Sequence, residues 1–193
     1  MSAPALEFLL ADQLMLVTVH YVTVSRQIAQ LGYDVVLFDG NTMEGTHGVG
    51  VKTAIQQAQQ MPHALPGKVA LVGLSLGGGM ALYYGTQWPD LVAVAVVWYP
   101  ATTFIRDVPG FVSRLKVPVL MFAGENHTFR DCCLATKART LAAAASGSSL
   151  PFELIVYPNT EHDFVEGGSH YNPEAYSDAL QRTGASLKKY LGS

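Results

Sequence analysis

Residues 73–77 read Gly73-Leu74-Ser75-Leu76-Gly77 and follow the apolar run Val69-Ala70-Leu71-Val72. Behind them Gly78-Gly79-Met80-Ala81-Leu82-Tyr83-Tyr84 suits a helix start. Gly-x-Ser-x-Gly between strand and helix is a setting in which a serine hydroxyl acts as a nucleophile. The turn strains the serine backbone and lifts the hydroxyl to the upper edge of a sheet, while the glycines let the chain pass without a clash. The following helix aims the positive end of its dipole at the point where an oxyanion would develop. The competing reading is a glycine-rich turn that serves packing alone.

Such a serine needs a base. Tyr157-Pro158-Asn159-Thr160-Glu161-His162-Asp163-Phe164 follows the last apolar run, so His162 lies after Ser75 in the chain and on the loop behind the final strand, where a triad histidine is expected. His20 and His63 fall in helical or pre-strand positions, and His47 and His170 fall in loops able to rim a pocket. The acid is harder to place. Ala123-Gly124-Glu125-Asn126-His127-Thr128-Phe129-Arg130-Asp131 offers Glu125 early and Asp131 late. Asp131 equally suits the first turn of the next helix, where a carboxylate complements the helix dipole.

The elements that must carry these residues alternate along the chain. Apolar runs at residues 6–10, 34–38, 69–73, 92–98, 117–122 and 152–157 are rich in Val, Leu and Ile. Continuously apolar strands are covered on both faces, which predicts a parallel sheet between helices. Helices are expected near residues 18–31, 48–60, 77–87, 132–146 and 174–191. The last is the clearest, with Asn172 to cap it, Pro173 in its first turn and Gly192 to close it. The expected architecture is a doubly wound α/β domain spanning residues 1–193, with about six mainly parallel strands and helices on both faces. Ligands bind at the carboxyl ends of strands in such sheets.

Composition bounds the rest. The chain has 193 residues, 49% of them apolar and only 14% charged, with a formal net charge of −3. That excludes a disordered tail and argues against a nucleic-acid partner. Sparse charge favours self-association, and a homodimer or larger species is expected. The run at residues 14–24 is too short to span a membrane. No basic region precedes the first apolar stretch, which Glu7 and Asp12 interrupt, so no signal peptide is expected and a cytoplasmic location follows. The two cysteines, Cys132 and Cys133, are adjacent. A disulfide framework needs separated cysteines and a zinc site needs more ligands, so they read as reduced thiols packed at a helix start. There is no His-Glu-x-x-His, and neither a metal nor another cofactor is expected.

Taken together, these residues resemble the dienelactone hydrolase family of α/β-hydrolases. Residues 73–78 look like that family's elbow. Residues 157–164 are similar to its Tyr-x-x-Ala-x-His-x-Phe, with Thr160 for Ala and Asp163 for Gly. Residues 31–39 and 117–125 look like two of its strand regions. The resemblance implies a cofactor-free hydrolase of small esters or lactones, acting through an acyl-enzyme on Ser75 with His162 as base. It implies an oxyanion hole from the backbone N–H groups of Leu76 and Leu14. In the family's Gly-Glu-x-Asp the aspartate is the acid; Gly124-Glu125-Asn126-His127 puts His127 there, or Asn126 with a slip of one. Asp131 and Glu125 remain the alternatives. Relative to the family, strands ahead of the core are expected to be missing, leaving residues 6–10 as an edge strand. No long segment between strands suggests a lid, and Tyr99, Phe104 and Phe111 are placed along one wall of an open site. The rival reading, resting on the missing acid, is a catalytically weak protein of this fold that binds a small ligand or partner.

Overall fold

The computed structural model describes residues 6–11, 19–39, 48–62, 64 and 66–192. Six strands form one parallel sheet: β1 (Leu6–Ala11), β2 (Asp34–Asp39), β3 (Val69–Leu74), β4 (Val92–Trp98), β5 (Val119–Gly124) and β6 (Phe152–Tyr157). Their order across the sheet is β2-β1-β3-β4-β5-β6, and every neighbouring pair is parallel. The helices are α1 (Val19–Ala29), α2 (Val49–Gln59), α3 (Ser75–Tyr83), α4 (Val108–Val112), α5 (Ala135–Ala145) and α6 (Pro173–Leu191).

Successive strand residues point to opposite faces. Val69, Leu71, Ala95, Val97, Val119 and Met121 pack with α2, α3, α4 and α5 on one side. Ala70, Val72, Val94, Val96, Leu120 and Phe122 pack with α1 and α6 on the other. Every residue of β3 and β5 is therefore buried, as their unbroken apolar sequence requires. The expected doubly wound α/β sheet is the observed one.

Three expectations need correction. Residues 6–10 do not form an edge strand: β1 lies between β2 and β3, and the edges fall to β2 and β6. The chain leaves β1 in one direction, pairs β2 outside it, then crosses back to place β3 on the far side. That reversal is the topological switch point where α/β sheets take their ligands. The fifth helix begins at Ala135, because residues 129–131 form a tight 3-10 turn in which Arg130 and Asp131 both have φ near +50. Residues 108–112, outside every expected helix, form the short α4, capped by Asp107, whose Oδ1 accepts from the Gly110 N–H at 3.0 Å.

The register aligns the carboxyl ends of the central strands. Leu74 lies opposite Trp98, Trp98 opposite Phe122, and Gly124 opposite Tyr157. The loops that follow β3, β4, β5 and β6 thus leave the sheet side by side along one edge.

Candidate active site

Ser75 is the first residue of α3 and follows β3 directly. Its φ is +50, a conformation that L-residues rarely hold outside strained turns. Gly73 is obligatory for a simple steric reason: a Cβ there would lie 2.5 Å from the backbone oxygen of Gly77. The Ser75 carbonyl is tied to the neighbouring loop by the Ala101 N–H at 2.8 Å. As the second residue of α3, Leu76 has an N–H with no acceptor inside the helix, so it is available at the strand ends beside Ser75. Leu14 lies outside the described residues, as do His47 and His63.

His162 reaches Ser75 from three strands away. The loop after β6 runs back over the end of β5, so close to Gly124 that a Cβ there would meet the Thr160 oxygen at 2.4 Å. The Asn126 N–H donates to the Thr160 oxygen at 3.0 Å, which joins the two loops. Thr160 is fixed in turn by the Asn172 amide at 2.8 Å, and the Asn172 Oδ1 caps α6. Asp163 holds φ +59 where the family pattern has glycine, and Phe164 then buries its ring against Trp98 and Tyr99. The result places His162 Nε2 3.0 Å from Ser75 Oγ.

Rings enclose the histidine. Tyr99, at the end of β4, meets it edge-on at 4.8 Å between centroids, and Phe129 stacks on it at 4.9 Å. Of the predicted wall, only Tyr99 touches His162. Phe111 is core and stacks on Tyr83, while Phe104 is exposed at the rim of Tyr83. Phe129, with Arg130 over its outer face, went unremarked in the sequence because nothing in its spacing separates it from an ordinary loop aromatic.

The acid side is different. Glu125 is exposed and pairs with Arg139 at 2.6 Å. Asp131 and Asn126 are exposed as well. His127 is the residue brought to His162: it is 3% exposed, with ring centroids 4.7 Å apart. The rings meet face-tilted, and neither His162 Nδ1 nor His127 Nδ1 has a hydrogen-bond partner among the described residues. The bond from His162 to His127 expected of a triad is therefore not made. Burial, followed by the nearby His127 and His170, pushes His162 down to about 3. Burial also lowers His127, against the opposing pull of Glu161 and Asp131. Among the described residues no carboxylate offsets this.

The reading of Cys132 and Cys133 as reduced thiols is corrected: they are joined to each other. The expectation concerned cross-links between distant segments. A bond between neighbours closes only a small ring at the tight turn and staples nothing remote. The Cys132 carbonyl accepts from the Thr102 N–H at 2.7 Å, and Cys132 Sγ lies 3.6 Å from His127 Nε2. Ligand atoms of His127, Cys132, Cys133 and His162 all fall within 4.8 Å of one another. No sequence spacing signals that set, since it is assembled from two loops.

A separate hollow of about 200 Å³ is lined by Glu153, Arg182, Lys189 and Tyr190 and contains neither Ser75 nor His162. No helix among the described residues is long and apolar enough to cross a membrane.

The sequence pattern that defines the dienelactone hydrolase family matches residues 37–191. A protein of Saccharolobus solfataricus provisionally named a carboxymethylenebutenolidase is 26% identical over 141 residues, covering 72% of this chain and 51% of its own. The chain spans about half the length of the curated relatives it matches. A structure from Klebsiella pneumoniae, provisionally named a dienelactone hydrolase, superposes with a TM-score of 0.80 at 19% identity, over 97% of this chain and 88% of that one. Esterase 2 of Thermogutta terrifontis, phosphorylated by paraoxon, superposes with a TM-score of 0.72 at 15% identity, over 98% and 84%. Both likenesses show the fold.

Proposed function

The chain belongs to the dienelactone hydrolase family, and on that footing we propose that it is a serine hydrolase of small esters or lactones. The observation that carries this is the Ser75 hydroxyl at a strained strand-to-helix turn, 3.0 Å from an imidazole nitrogen. Ser75 Oγ attacks the carbonyl carbon and His162 Nε2 takes its proton. The Leu76 N–H receives the oxyanion, and the α3 dipole favours the charge. The imidazolium returns its proton to the leaving alkoxide, and water repeats the sequence on the acyl-enzyme.

Without a carboxylate on Nδ1, neither the tautomer nor the imidazolium is supported, and turnover is slow. Loss of the acid costs about 10⁴ in kcat where that has been done, yet leaves catalysis above background. The same orphaned nitrogen favours a second reading, a protein of this fold that binds a small ligand without turning it over. Hydrolysis of short-chain aryl esters and of a small lactone separates the two. Ser75→Ala and His162→Ala should each lower kcat at least about 10³-fold, and the double variant should be no slower than either, because the two groups act as a unit. Activity that survives Ser75→Ala removes the assignment.

A further inference from the structure

The joined cysteines and the two histidines beside them suit a ligand that the hydrolase reading does not call for. His127 and His162 are each more than nine-tenths buried and each has an Nδ1 with no partner among the described residues. An unpaired buried polar atom is costly, so two on neighbouring rings require a reason. Cys132 Sγ lies 3.6 Å from His127 Nε2, and one nitrogen of each ring and the two sulfurs all lie within 4.8 Å of one another. Bonds of about 2.0–2.1 Å to nitrogen and 2.3 Å to sulfur give a zinc tetrahedron with edges of roughly 3.4–3.8 Å, so the wider-spaced atoms close by about 1 Å while the two sulfurs, once reduced, part to about 3.8 Å.

We propose that, once the Cys132–Cys133 bond is reduced, Cys132, Cys133, His127 and His162 bind one divalent cation of the zinc class. Two thiolates and two imidazoles are a borderline-soft donor set that favours zinc over magnesium or calcium. Two thiolate charges neutralise the cation, so the filled site is uncharged and tolerates its apolar surroundings of Tyr99 and Phe129. Cys132 is half-buried and opens the site toward solvent.

The chemistry balances as follows. A tertiary phosphine attacks one sulfur and the S–S bond breaks, its electron pair leaving on the other sulfur. Water then releases the first as a thiol, giving two thiols and one phosphine oxide. The cation displaces one proton from each thiol to solvent.

Binding has a consequence for the site that rests on the hydrolase reading above. His162 Nε2 already faces Ser75, so its free donor is Nδ1. With the cation on Nδ1, the ring proton must sit on Nε2, which can then no longer accept the proton of Ser75. The disulfide form cannot take the cation and stays active; the reduced, cation-bound form is silent.

Cobalt(II) is the direct probe, because thiolate ligation gives a near-ultraviolet charge-transfer band and tetrahedral geometry gives strong visible bands. Phosphine-reduced protein should show both, saturating at one cobalt per chain, and zinc should displace them. Ser75→Ala should bind equally, so binding is read apart from hydrolysis. The oxidised protein should show neither band, a comparison that needs no variant to fold. Cys132→Ser and Cys133→Ser, with circular dichroism to confirm their fold, should each lose the charge-transfer intensity. A reduced protein without these bands, or an oxidised one that shows them, overturns the proposal. On reduced wild type, one equivalent of zinc should lower aryl-ester turnover about 100-fold, reversibly with a chelator. Full turnover of the zinc-loaded form would remove His162 from the ligand set.

Discussion

The turn after β3 and the loop after β5 stand two strands apart on the same sheet edge, and they are built on different principles. At the first, backbone decides everything. Ser75 holds φ +50 because Gly73 lets the chain cross against Gly77 with no room for a side chain. At the second, the backbone only delivers the loop, and side chains decide: His127 instead of a carboxylate, two joined cysteines, and Phe129 stacked on the base. A nucleophile needs one strained position that few sequences can supply. A charge partner needs only a side chain of the right kind within reach, so this half of the site is free to change while the first is not.

Breaking the backbone half should have the largest effect. Gly73→Ala drives a Cβ against a backbone oxygen that cannot move without uncoupling β3 from α3. We expect a loss of about 3 kcal/mol, roughly 10 °C in Tm for a chain of this size, and aryl-ester activity falling to that of Ser75→Ala. A melt and turnover equal to wild type would show that the elbow is not held as described.

Changing the side-chain half should do the opposite. His127→Asp places a negative charge beside His162 and should raise kcat at least about ten-fold, well inside the ~10⁴ span that a triad acid commands. Asp131→Asn and Glu125→Gln should leave kcat within about two-fold, since both carboxylates are exposed and Glu125 is held by Arg139. A collapse in either, with no gain from His127→Asp, would move the acid to that residue.

Acid sensitivity sharpens the contrast further. His162 titrates near 3 in the folded chain and near 6.5 when unfolded. Between those values the unfolded chain binds a proton that the folded chain refuses, so stability falls as pH drops through that window. His127 acts in the same direction. Thermal melts at pH 7 and pH 4.5 should show that fall, and it should be smaller in His162→Gln. The base also stays neutral, so kcat/KM should lack an acidic limb near pH 6.5.

How much of this could be read from residues follows the same divide. Four of the six apolar runs match their strands to within two residues at each end, and those of β4 and β6 match at both, because a strand covered on both faces must be apolar throughout. Gly73, Ser75 and His162 were legible because each stands at a strand end where the turn constrains residue type. Strand order was not: residues 6–10 looked like an edge because sequence carries no sign of which side β2 will pair. The bond between Cys132 and Cys133 and the approach of His127 were illegible for another reason. They depend on two residues at φ near +50 in the 129–131 turn and on the closeness of the loops after β5 and β6. Neither leaves a periodic trace.

The most direct test of the central claim is covalent labelling of oxidised wild-type protein with an organophosphate such as paraoxon or a fluorophosphonate probe, read by intact mass and peptide mapping. The hydrolase reading predicts one adduct per chain, located on Ser75, absent from Ser75→Ala and strongly slowed in His162→Ala. No adduct on the folded wild-type protein, or an adduct on any other residue, would contradict it.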